Sequence, residues 1–145
     1  MRRLRKFLYL SLEDKILFFK TMVLVGVFRI GLLIVPLKLI QQFSDSVTPK
    51  SSKPKTNIIS SEKISWCVKT VGNYIFGPKS CLPLALAAEV LLKENGYPAI
   101  INIGVYKGDE IKLEGHAWVE SEGKIIVGEE TMQYYTPLSI NLKGT

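Results

Sequence analysis

The sequence predicts an α+β fold: a central buried helix packed on antiparallel strands, preceded by an apolar helical N-terminal segment. Three observations carry this. Residues 81–94 are apolar on nearly every helical face, as in a helix buried all round. Residues 99–127 then hold three short runs rich in Ile and Val, separated by Lys107-Gly108-Asp109-Glu110 and Ser121-Glu122-Gly123, as in a strand meander. The apolar excess that lifts the hydrophobic share to 47% is concentrated near the N-terminus. Helix first and antiparallel strands after is the α+β order. With 145 residues the chain is one domain, or one small domain with an appendage.

Residues 1–43 form the apolar helical segment, read as two helices, roughly 12–22 and 24–42, packed on the rest of the chain. An interfacial amphipathic anchor is the alternative. Lys20, Arg29 and Lys38 interrupt the stretch from Ile16 to Ile40, so no unbroken apolar run approaches the ~20 residues of a spanning helix. Arg2, Arg3, Arg5 and Lys6 resemble the basic start of a signal peptide. Glu13, Asp14 and Lys15 break the apolar stretch that should follow, and no small-x-small cleavage site appears. Residues 44–57 are a Ser/Pro/Lys linker with too few apolar groups to offset the entropy of ordering. Residues 58–145 are left as the domain that carries the chemistry.

A helix begins near Ser60 or Ser61, either of which suits an N-cap. Ile64, Cys67, Val68 and Val71 recur at helical spacing on one face, where Cys67 reads as a small buried hydrophobe. Phe76-Gly77-Pro78 breaks the helix. The next helix runs from Cys81 to about Glu94, with Ser80 as N-cap and Pro83 in the first turn, where a missing N–H does little harm. Asn95-Gly96 supplies its left-handed stop. Strands follow over Ala99–Tyr106, Ile111–Glu120 and Lys124–Val127. After Gly128 the residues Tyr134, Tyr135, Pro137 and Leu138 suggest a packed tail.

The net charge of +6 is unevenly spread. Residues 1–57 hold eleven Lys/Arg against three Asp/Glu, whereas residues 58–145 hold eight against ten. The basic residues interrupt an apolar segment and are not interleaved with aromatics on one face. That argues against nucleic acid as a partner and fits a membrane surface or an acidic partner better. Two cysteines and one histidine without short ligand spacing argue against a structural zinc site, and no cofactor is implied. Without a disulfide pattern, Cys67 and Cys81 read as free thiols in a reducing compartment. The expected location is cytoplasmic, or peripheral to the inner face of the membrane.

Chemistry centres on Cys81 and on His116, the single histidine. The N–H groups and positive end of a helix favour a thiolate and can hold an oxyanion, so a buried helix opening at a cleft is a suitable mount for a nucleophile. On an alternating strand, Glu114, His116, Trp118 and Glu120 share one face, and the small Gly115 and Ala117 share the other with Val119. A catalytic imidazole needs an orienting partner. A three-residue loop at Ser121-Glu122-Gly123 places His116 opposite Gly128; a two-residue loop places it opposite Glu129. Glu129 is therefore the candidate third member, with Glu130 as substitute.

Cys81-Leu82-Pro83 before an Ala/Leu-rich helix, Asn95-Gly96-Tyr97-Pro98-Ala99, Ile103-Gly104-Val105 and His116-Ala117-Trp118-Val119-Glu120 together resemble the lasso peptide biosynthesis B2 proteins. These are transglutaminase-like leader peptidases, of the type seen as the C-terminal part of the microcin J25 processing protein. The resemblance spans roughly residues 60–140. It implies a transglutaminase-like, papain-like cysteine peptidase core that removes the leader from a ribosomally made precursor peptide, with Cys81 as nucleophile and His116 as base. It also implies a separate leader-binding recognition protein and a macrolactam-forming cyclase as partners. Two positions depart from the family pattern. The acidic third member, typically Asp about a dozen positions after the His, has no counterpart beyond Glu129 and Glu130, and the Arg common after Cys-Leu-Pro is Leu84.

Three other readings compete. A transglutaminase-like acyltransferase would pass the acyl group to an amine instead of water. A double-glycine leader peptidase would carry a Gln a few residues before the Cys, where Tyr74-Ile75-Phe76-Gly77 stands. An inactive adapter of the same fold would sit at the membrane.

Overall fold

The computed structural model describes residues 11–36, 39, 42, 58–77, 80–107, 113–129 and 135–138. The expected linker at 44–57, the turn at 108–110 and Glu130 lie outside these residues. Helix α1 spans Leu12–Ile34, α2 Ser61–Val71 and α3 Cys81–Glu94; a π-helical turn, Gly72–Phe76, extends α2. Strands β1 (Ile100–Lys107), β2 (Leu113–Ser121), β3 (Lys124–Val127) and β4 (Thr136–Leu138) form one antiparallel sheet in the order β3-β2-β1-β4.

Each helix starts where the sequence places a serine. Ser11 accepts from the Asp14 N–H at 3.2 Å and Ser60 from the Lys63 N–H at 3.3 Å, each satisfying a donor that the helix itself cannot. The stop of α3 is a Schellman motif. Gly96 takes φ +85°, its N–H reaches Lys93 O at 3.1 Å, and the Tyr97 N–H reaches Leu92 O at 3.0 Å.

Helix α3 is the centre of the molecule. Ala85, Ala88, Leu91 and Leu92 join one core with Ile64, Cys67 and Val68 of α2 and Ala117, Val119, Ile126 and Val127 of the sheet. Leu86, Ala87 and Val90 join a second core with Val25 and Phe28 of α1 and with Val71. A helix packed on two sides has no use for a polar face, which explains its composition.

Helix α1 is one continuous helix through Met22 and Val23, where two helices are expected from the sequence; nothing in Thr21–Leu24 breaks or caps a helix. Leu17, Thr21, Val25 and Phe28 are its buried face. The opposite face, with Leu12, Ile16, Phe19, Val23, Val27, Ile30, Leu33 and Ile34, is exposed. By length and composition α1 suffices to cross a membrane, despite Lys20 and Arg29.

The β2–β3 hairpin turns on two residues, Glu122 (φ +51°) and Gly123 (φ +75°), with Ser121 opposite Lys124. Two positive φ values are the signature of the tight turn that suits strand twist. A bulge follows: Glu120 pairs with Ile125 but Val119 with Val127, so Ile126 is an extra residue. Regular pairing arithmetic from the turn toward His116 therefore fails beyond Glu120. The fourth strand is an addition to the expected meander. A three-residue edge strand containing Pro137 carries almost no strand signal.

Candidate active site

Cys81 is the first residue of α3 and is half-buried. The residue before it, Ser80, stands at the N-cap position, but its side chain makes no cap bond. Its hydroxyl donates to Phe76 O at 3.1 Å and accepts from Arg29 Nη1 at 2.8 Å. The same guanidinium nitrogen donates to Phe76 O at 3.1 Å, and the guanidinium carbon lies 5.8 Å from the centroid of the Phe76 ring. Arg29 of α1 thus ties Phe76 and Ser80 to one guanidinium nitrogen, and Ser80 leaves the first-turn amides of α3 uncapped by its own side chain. The sequence singles out Arg29 only as an interruption of an apolar stretch; that interruption is the signal of its partner.

Cys67 is the contrasting thiol. It is fully buried, and its Sγ lies 3.4 Å from Thr21 Oγ1. Burial away from water pushes its pKa up, and the Thr21 contact opposes this only in part. Both cysteines are free.

His116 stands on β2 opposite Gly104 of β1. The face alternation expected from the sequence holds. Ala117 and Val119 enter the core shared with α3, and His116 and Trp118 turn to the other face, their rings stacked with centroids 6.3 Å apart. Tyr135 covers the imidazole there at a centroid distance of 5.0 Å. Two glycines make this crowding feasible. A Cβ at Gly104 would lie 2.9 Å from both Trp118 Cζ3 and Tyr135 Cβ, and one at Gly128 would lie 2.6 Å from Trp118 Cβ. Trp118 Nε1 donates to Glu120 Oε1 at 3.0 Å.

The imidazole Nε2 is 3.0 Å from Gly128 O. A carbonyl oxygen can only accept, so Nε2 carries the proton and the lone pair of the neutral ring is on Nδ1. The main chain thus gives His116 a partner twelve residues downstream of it. Glu129 follows directly, and its largely exposed carboxylate lies 3.8 Å from Lys69 Nζ of α2.

His116, paired with Gly104, stands near the middle of β2. Ala117 and Val119 of β2 enter the core shared with α3 and the His116 ring is on the other sheet face, and among the described residues no hydrogen bond joins Cys81 to His116.

A family model for the transglutaminase-like superfamily matches residues 22–140. The chain belongs to that superfamily. The match begins inside α1 and takes in both candidate residues, all of α2 and α3, and the whole sheet. Membership bears out the transglutaminase-like α+β fold expected from the sequence. The superfamily includes cysteine peptidases and acyltransferases and is typically cysteine-dependent. No curated protein and no solved structure matches the chain.

Proposed function

We propose that the protein is a cysteine peptidase that removes the leader from a lasso-type precursor peptide, with Cys81 as nucleophile and His116 as base. The observation that carries this reading is Cys81 as the opening residue of a buried helix whose N-cap side chain is turned away, within a chain of the transglutaminase-like superfamily. Helix-start N–H groups favour a thiolate and the oxyanion that forms when it attacks a carbonyl. The leader-peptidase assignment within the superfamily rests on the resemblance of the motifs around Cys81, Asn95-Gly96 and His116.

In this mechanism His116 Nδ1 takes the Cys81 proton, while Nε2–H stays on the Gly128 carbonyl. The thiolate adds to the peptide carbonyl at the leader–core junction, and amides at the start of α3 hold the oxyanion. Collapse breaks the C–N bond, and His116 returns its proton to the departing core amine. Water, deprotonated by His116, then cleaves the thioester and restores the thiol. Glu129, or Glu130 in its place, is the acidic third member of this reading; Glu129 would have to leave Lys69 to reach the ring, whose Nε2–H has its acceptor in Gly128 O.

The partners in this reading are the precursor peptide, a separate leader-binding protein and a macrolactam-forming cyclase. In a reaction reconstituted with a lasso-type precursor and its leader-binding protein, Cys81→Ala and His116→Ala each abolish cleavage. Undiminished cleavage by either variant would remove the assignment. Running the reaction with and without an added amine separates hydrolysis from amine transfer.

A further inference from the structure

We infer that the outer face of α1 is a docking surface for an anionic lipid bilayer, with the helix lying in the plane of the interface. This inference does not depend on the chemistry proposed for Cys81. Leu12, Ile16, Phe19, Val23, Ile30 and Leu33 recur at intervals of three, four or seven residues and are exposed, Phe19 to 63% and Leu33 to 83%. The stripe they form runs the length of α1, about 33 Å at the usual helical rise. An apolar stripe of this length on a small domain marks an interaction surface.

The opposite face identifies the orientation. Leu17, Thr21, Val25 and Phe28 are buried in the cores built with α2 and α3, and the Thr21 hydroxyl donates to Leu17 O at 2.7 Å. Inserting α1 across a bilayer would strip these residues from the domain and expose both cores. Lying flat leaves them in place and immerses only the stripe.

Charge identifies the occupant. Lys20 beside the stripe is paired with Glu94 and Arg29 donates to Ser80 and Phe76 O, so the charge open to a partner is the basic excess of residues 1–57, eleven Lys/Arg against three Asp/Glu, with Arg2, Arg3, Arg5 and Lys6 preceding the helix in the sequence. A negatively charged headgroup layer complements this basic excess beside the apolar stripe.

The full chain is sedimented with vesicles of phosphatidylcholine alone and of equal parts phosphatidylcholine and phosphatidylglycerol. Expected are binding to the anionic vesicles, weakening as salt is raised, and release by alkaline carbonate. The variant Ile16→Gln/Phe19→Gln/Val23→Gln, its fold checked by far-UV circular dichroism, binds at least about tenfold more weakly. Because Phe19 is exposed, Phe19→Trp preserves the fold, and its fluorescence is quenched by lipids brominated near the headgroup. Absence of binding, unchanged binding by the triple variant, or resistance to carbonate (a spanning helix) overturns the inference. So does a dimer in light scattering that the triple variant abolishes, which would make a second copy the occupant.

Discussion

At the scale of single residues, the two thiols differ most. Cys67 is buried with its pKa raised by desolvation, whereas Cys81 is half-buried at a helix start. Alkylation of the folded protein at neutral pH is expected to mark Cys81 and to reach Cys67 only after unfolding, as read by peptide mass mapping. Gly128 is the most constrained small residue of the site. Its φ is +95°, and a Cβ there would meet Trp118 Cβ at 2.6 Å and Ala117 O at 2.9 Å. Gly128→Ala should cost about 1–3 kcal/mol or more in denaturant unfolding, because it combines backbone strain with a clash that cannot relax by rotating a flexible side chain. Cys81, the His116 face and the left-handed Gly96 are all legible in the sequence. The Gly128 carbonyl as the partner of Nε2 is not, because any residue supplies a carbonyl and only geometry distinguishes one from another.

Single residues also set the pH response. The Asp14 carboxyl, bonded first to the Lys63 ammonium and then to Ser11, has its pKa lowered from the ordinary 3.8. The same partner raises the Lys63 pKa above the ordinary 10.5. The Asp14 contribution to stability is complete above the unfolded carboxylate value and is lost as pH falls through the lower folded value. The Lys63 contribution is complete below 10.5 and is lost as pH rises through the raised folded value. Asp14→Asn should therefore flatten both limbs of a plot of melting temperature against pH. An unchanged acid limb would show that the pair adds nothing to stability.

At the scale of elements, α1 and α3 are joined by Arg29. Its hydrogen bonds hold Phe76 O and the hydroxyl of Ser80, the residue before Cys81. Arg29→Ala should lower stability by about 1–2 kcal/mol, since hydrogen bonds from a charged group contribute more than neutral ones. If the contact also positions Cys81, Arg29→Lys, whose ammonium can still donate to both acceptors from one nitrogen, should retain more of the stability and of the Cys81 alkylation rate than Arg29→Ala. The boundaries of α2 and α3 are legible because serine starts, a glycine stop and a one-sided or all-round apolar pattern mark them. β4 is not legible, since three residues with a proline at an edge look like a loop. The bulge at Val119/Glu120 is likewise silent in the sequence, and it defeats the register arithmetic used to look for a partner of His116.

At the scale of the whole molecule, α1 is both wall and surface. Its inner face closes the cores on α3, and its outer face leaves an apolar stripe in solvent. The sequence shows the apolar excess and the basic charge of this region, but not which residues face inward. A helix apolar on both sides gives no period that distinguishes the two, so the assignment waits on which side meets α3. In the proposed mechanism the thiol at the start of α3 and the imidazole on β2 work as a pair. The pairing is tested most directly by the rate at which iodoacetamide alkylates Cys81 at neutral pH in the wild-type protein and in His116→Gln. The rate is expected to be about tenfold or more lower in the variant, with the fold unchanged by circular dichroism. Equal rates in the two proteins would contradict it.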